Sequence, residues 1–162
     1  RDIYKNGGYS LQYGAFPPKV AQTCGISLEA AQNLFDAYWD LNWSVKKVAE
    51  EQTIKCINDE VWMLNPVSRF WYSLRSEKDR FSTLVQGTGA YAFDIFLGFI
   101  LQKDKRFVAC FHDEVVFRIK KEEQEKMTII LNEAIDATNK FLNLNRKLSI
   151  EVQYGKHYGQ IH

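Results

Sequence analysis

The chain has 162 residues, 46% of them hydrophobic and 14% aromatic, which is enough for one domain or a large piece of a bigger one and too apolar for a disordered segment. Its 21 basic and 20 acidic residues leave a net charge of +1, so any nucleic-acid footprint must be local rather than global. The three cysteines, Cys24, Cys56 and Cys110, are far apart, odd in number and without zinc spacing, which excludes a disulfide framework and points to a reducing compartment.

The chain opens Arg1-Asp2-Ile3-Tyr4-Lys5 with no initiator Met and no capping residue, so it is expected to begin inside a longer protein. Residues 1–13 fit a helix, although the interior pair Gly7-Gly8 weakens it by up to ~1 kcal/mol per glycine. Gly14 and then Pro17-Pro18 stop it. Ser27 is placed to cap a second helix, in which Leu28, Ala31, Leu34, Phe35, Tyr38 and Trp39 recur at helical spacing. A third helix is expected from Val45 to Ile57. Two short strands around an Asn65-Pro66 turn follow.

Leu84 to Leu101 is apolar on most faces and reads as a buried helix. Asp94 interrupts it, and no apolar run reaches the ~20 residues that a bilayer span needs. No signal peptide is visible. The runs "RFVACF" and "EVVFRIK" are β-rich and meet at His112-Asp113. Lys121 to Leu142 has the pattern of an amphipathic helix with Met127, Ile130, Leu131, Ala134, Ile135 and Phe141 inward, and "LSIEVQYG" reads as a last strand. Helices and antiparallel hairpins mix without βαβ alternation, so the expected class is α+β. Tyr38, Trp39, Trp43, Trp62, Phe70, Trp71 and Tyr72 are expected in the core, and "KKEEQEK" at 120–126 at a solvated helix start.

Three constellations carry chemistry. Arg1, Lys5, Tyr9 and Tyr13 are each four residues apart, so a helix drifts by only ~40° per step and keeps them on one side. Two cations suit a polyphosphate and two aromatics suit a base or sugar; a solvated face with buried tyrosines satisfies the same spacing. Gln86 is the one strongly polar residue at the start of an apolar helix, followed by Gly87 and Gly89. Its amide suits a DNA minor groove, and packing glycines beside a helix-start Gln suit the same pattern. His112, Asp113 and Glu114 sit between two apolar strands, with Val108, Cys110 and His112 on one strand face. The turn lacks the Gly or Asn of a tight hairpin. Its carboxylates suit a hard divalent ion such as Mg²⁺, and a plain Asp-containing turn is the alternative.

In this order the pieces resemble the C-terminal part of a family A DNA polymerase, the bacterial DNA polymerase I class. The fingers-helix motif Arg-x3-Lys-x3-aromatic-x3-Tyr-Gly is similar to Arg1, Lys5, Tyr9, Tyr13 and Gly14; "VQGTGA" with Gln86 is similar to the motif before the palm helix; and His112-Asp113-Glu114 is similar to the palm hairpin motif. The ending "SIEVQYGKHYG" is similar to the family's last strand, so the resemblance covers essentially the whole chain.

The resemblance implies a mostly helical fingers segment over residues 1–58, with the dNTP-binding helix at 1–14. Part of an antiparallel palm sheet with packing helices would follow over 59–162, with the catalytic hairpin at 106–120. It implies that Arg1 and Lys5 bind the incoming triphosphate and that Tyr9 packs on the sugar and base. Tyr at this position is associated with ready acceptance of dideoxynucleotides. Tyr13 would stack at the templating position and Gly14 would let it move. Gln86, His112 and Gly14 would contact the primer-template. Asp113 would hold Mg²⁺, with Glu114 beside it as a second catalytic carboxylate. The implied reaction is in-line attack of the primer 3′-OH on a dNTP α-phosphate under two metals.

The family's second metal-binding Asp, in a motif Asp-Tyr-Ser-x-x-Glu-x-Arg, has no counterpart here. It is expected upstream, with the thumb, the rest of the palm and any 3′–5′ exonuclease domain, so residues 1–162 alone are expected to be nearly inactive. Gly7-Gly8 is more glycine than this helix usually carries. The segment before the palm helix is less basic than usual, although Arg69, Arg75, Lys78 and Arg80 keep it cationic. The implied partners are primer-template DNA and dNTPs without a membrane, and the implied location is the cytoplasm of a bacterium or phage-infected host, or an organelle. The other readings are a nucleic-acid-binding polymerase remnant and one half of a split polymerase. A His112/Asp113 hydrolase lacks a placed nucleophile.

Overall fold

The computed structural model describes residues 2–161. The order of elements is α1 (Asp2–Gln12), α2 (Pro17–Cys24), α3 (Leu28–Leu41), α4 (Trp43–Glu50), β1 (Ile54–Ile57), β2 (Glu60–Leu64), β3 (Trp71–Leu74), α5 (Arg80–Leu101), β4 (Phe107–Phe111), β5 (Glu114–Phe117) and α6 (Gln124–Leu142). The fold is α+β, with two small antiparallel sheets. The chain divides into two compact units, residues 1–88 and 89–162.

In the first unit, α1, α2 and α3 close on Leu11, Val20 and Ala31, all fully buried. Gly7 makes the α1 contact close: a Cβ there would stand 3.0 Å from Leu34 Cδ2 and 3.3 Å from Cys24 Sγ. Its cost in helix propensity is therefore the condition for close helix packing. Helix α1 ends in a Schellman turn, with Gly14 at φ +79, its N–H on the Leu11 carbonyl and the Ala15 N–H on the Ser10 carbonyl. Ser27 caps α3 as the sequence suggests, its hydroxyl accepting from the Ala30 N–H at 3.2 Å.

The helix expected from Val45 to Ile57 breaks after Glu50, and its C-terminal part becomes β1. Thr53, Ile54 and Ile57 are β-branched, and Asn58-Asp59 form a two-residue turn with both φ positive. β1 then pairs antiparallel with β2, Ile57 opposite Glu60, and a ladder partner outweighs local helix propensity. β2 pairs in turn with β3 across the Asn65-Pro66 turn. Fully buried Asn65 holds that turn: its amide donates to the Leu84 carbonyl and Thr88 hydroxyl, and its oxygen accepts from Val67 and Ser68 N–H. Met63, Leu74 and Leu84 form the small core beneath. Trp43 and Phe70, expected in the core, are exposed, as is Leu28.

In the second unit, Phe96 and Ile100 of α5 pack with Met127, Ile130, Ala134 and Ile135 of α6, joined by Val115 and Phe117 of β5. Helix α6 begins after a 3₁₀ turn over Lys121–Glu123, and Phe141, expected inward, is exposed with its ring edge-on to Phe99. Arg106 clamps the entry to β4. Its guanidinium forks onto buried Asp104 and also reaches Glu123. These hydrogen bonds hold the Asp104 and Glu123 carboxyls below the usual carboxylate range and push the guanidinium up.

Two expectations fail here. Helix α5 is not buried all round: Leu84, Gly87, Ala92, Phe96 and Ile100 make one buried stripe, while Val85, Gln86, Gly89, Ala90 and Asp94 are exposed. Glu77–Leu101 is also long and apolar enough, by length and composition alone, to cross a membrane, a property shared by central helices of soluble folds. The segment "LSIEVQYG" is not a strand. A strand exists through its ladder, and these residues are instead held by side chains, such as Asn139 bridging to both backbone groups of Leu148.

Candidate functional site

Helix α1 resolves the first ambiguity left by the sequence. Gly7 and Leu11 take the buried side, whereas Lys5, Tyr9 and Tyr13 are all exposed, the two tyrosines by 53% each. The tyrosines are therefore not core residues, and the four-residue spacing lays one cation and two rings along one solvent-facing stripe. Arg1 lies outside the described residues. Just beyond Tyr13, Gly14 rests on the 3₁₀ turn at Glu77–Asp79: a Cβ would stand 3.0 Å from Lys78 Cβ and 3.2 Å from its carbonyl. A mostly apolar cavity of about 350 Å³ opens here, lined by Gly14, Phe16, Phe35, Trp39 and Phe81 among others.

On α5 the two glycines separate. Gly87 is a packing residue, because its missing Cβ would lie 2.8 Å from the Tyr72 ring, whereas nothing lies within 4 Å of that point at Gly89. Gln86 is exposed beside them, on a helix face made smooth by Gly89 and Ala90.

The hairpin forms where the sequence places it, with Phe111 opposite Glu114 and His112-Asp113 as the two turn residues. His112 adopts φ +54, a left-handed conformation that costs a non-glycine residue on the order of 1 kcal/mol. Its ring packs edge-on to Phe111 at 4.5 Å. Val108 falls in a register irregularity between Phe107 and Ala109, and β4 is exposed along its length. His112 and Asp113 are exposed at the tip, and Glu114 is half-buried.

Glu114 has a partner that motif reading missed. Partial burial, and then the charge and hydrogen bond of Glu114, raise the Tyr158 phenol above its ordinary value. No local signal reveals this pair, which is separated by more than forty residues.

Among the described residues no group of three His, Cys, Asp or Glu side chains could hold a metal. Asp113 offers one exposed hard oxygen donor, of the kind that Mg²⁺ takes, so it fits such an ion as one ligand of a shared site. Lys5, Tyr9, Tyr13, Gly14 and Gln86 belong to the first unit, and His112, Asp113 and Glu114 to the second.

The family model for DNA polymerase family A matches residues 1–160. The chain belongs to DNA polymerase family A. A similar solved structure is the POL domain of Pol1 from M. smegmatis, in complex with DNA primer-template and dNTP, at a TM-score of 0.62 and 21% identity. That likeness covers 83% of this family A chain and 26% of the other, and at this identity it supports the fold alone. The chain thus spans about a quarter of the length of that relative. It matches no curated protein.

Proposed function

We propose that this family A chain takes part in template-directed DNA synthesis, transferring a nucleotide from a dNTP to a primer 3′-OH. The observation that carries this reading is the stripe on α1: Lys5, Tyr9 and Tyr13 face solvent together. In this reading Arg1 and Lys5 bind the triphosphate, Tyr9 the sugar and base, and Tyr13 the templating position. Gly14 forms the hinge after it. Gln86 and His112 contact the primer-template. Asp113 holds Mg²⁺ and Glu114 stands beside it. The bound ion would supply neutralisation of phosphate charge and a more acidic 3′-OH. The helices of residues 1–58 act as fingers and residues 59–162 as part of the palm, a division that falls in the β1–β2 turn. The second metal-binding Asp comes from outside these residues, along with thumb and remaining palm. The protein works in the cytoplasm, or an organelle, with primer-template DNA and dNTPs as partners.

The test is primer extension by the full-length protein with Mg²⁺ and dNTPs. Asp113→Ala is expected to lower the rate by about three orders of magnitude while primer-template affinity stays within about twofold, because only the reacting centre is touched. Extension surviving the substitution would end the metal role. The second reading, a binding remnant, draws on the absence of a three-ligand group among the described residues. It predicts salt-dependent DNA binding and no extension.

A further inference from the structure

The cavity beyond the end of α1 lies within the first unit, and two of its features have no part in the reading above. Its walls are aromatic. The Phe16 and Phe35 rings stack with centroids 6.4 Å apart and an interplanar angle of 20°, and Trp39 meets Phe35 edge-on at 6.4 Å. Phe16 is nevertheless 65% exposed, which leaves apolar ring surface in water where a planar ligand gains by covering it. The second feature is Arg80, which opens α5 and lines the same cavity. One Nη of its guanidinium donates to Glu77 Oε1 at 2.7 Å. Its Nε–H is buried and donates to no acceptor among the described residues. A buried donor without an acceptor is costly, and more so on a charged group.

We infer that this cavity binds a planar aromatic carboxylate, with its rings against Phe35 and Trp39 and its carboxylate accepting from the Arg80 Nε–H. The volume of about 350 Å³ lies at the small end of ligand sites and suits two fused rings. The charged lining sets Lys46, Lys78 and Arg80 against Glu50 and Glu77. That excess of one positive charge suits a single carboxylate better than a phosphate dianion. A guanidinium also matches the flat geometry of a carboxylate. Such a site does not depend on any role of the α1 stripe in synthesis.

The experiment is a ligand-observed NMR titration of the full-length protein with 2-naphthoate, and with 2-naphthalenemethanol as a neutral probe of the same ring size. Wild type should bind 2-naphthoate with a Kd of about 0.1 mM, ordinary for so small a ligand, and the alcohol about tenfold more weakly. Arg80→Met keeps the apolar stem and removes the donor. It should weaken 2-naphthoate about tenfold and change the alcohol less than about twofold, because only the charge-assisted hydrogen bond is lost. Ala49→Phe places a ring in the cavity from α4 and should abolish binding of both probes, with thermal denaturation showing that the fold persists. If that variant does not fold, Arg80→Met decides alone. No 2-naphthoate binding to wild type, no loss or an equal loss of both probes in Arg80→Met, or undiminished binding to folded Ala49→Phe would each overturn the site.

Discussion

Helix α1 and the β4–β5 hairpin both present polar side chains to solvent, on different foundations. Behind α1 stands a packed layer: Leu11 fully buried, Gly7 pressed on Leu34 and Cys24, and a Schellman turn fixing the end. Behind the hairpin tip stand one exposed strand, one half-buried strand and a residue in left-handed conformation. Exposed residues on a packed helix are replaceable without loss of fold. The hairpin has instead the Arg106 clamp at the start of β4. Stability and function should therefore separate cleanly on α1, between its two faces.

The largest expected effect is at the packed face. Gly7→Val should destabilise the fold by about 2–3 kcal/mol, because overpacked side chains against Leu34 must shift; chemical denaturation reads this, and an unchanged midpoint would mean that α1 is not closely packed. On the solvent face, Lys5→Ala should raise the KM for dNTP about tenfold, roughly one charge-assisted contact, with DNA affinity and unfolding midpoint unchanged. An equal loss of DNA affinity would turn Lys5 into a DNA contact. Gly8→Ala is expected to stabilise by about 0.5–1 kcal/mol, since its Cβ would lie an ordinary 3.9 Å from Tyr38 and the helix gains propensity.

The smallest change is a pH-dependent one at the other foundation. Asp104 and Glu123 have lowered pKa values through Arg106. Their contribution is present above the ordinary carboxylate pKa of about 4 and is lost as pH falls through the folded values. Arg106→Met should thus melt earlier than wild type at pH 7, with the gap closing in acid. A gap constant from pH 7 to pH 3 would show that the clamp acts by packing alone.

Much of this was legible because its causes are local. The Ser27 cap, the Asn65-Pro66 turn, the α1 stripe and the His112-Asp113 turn each follow from a few adjacent residues. The first helix does stop before Pro17-Pro18, which also open α2, because proline suits the first turn of a helix. The misses have distant causes. β1 follows a helical pattern in the sequence, and its ladder partner lies beyond the Asn58-Asp59 turn. The tail read as a strand from its alternation alone, and Trp43 and Phe70 read as core from hydrophobicity alone.

The most direct test of the proposed division of labour is single-nucleotide incorporation by the full-length protein at saturating dNTP, with Lys5→Ala and Asp113→Ala side by side. The account predicts that saturation restores the rate of Lys5→Ala to near wild type and leaves Asp113→Ala about three orders of magnitude slower. Equal rates for the two variants at saturating dNTP would contradict it.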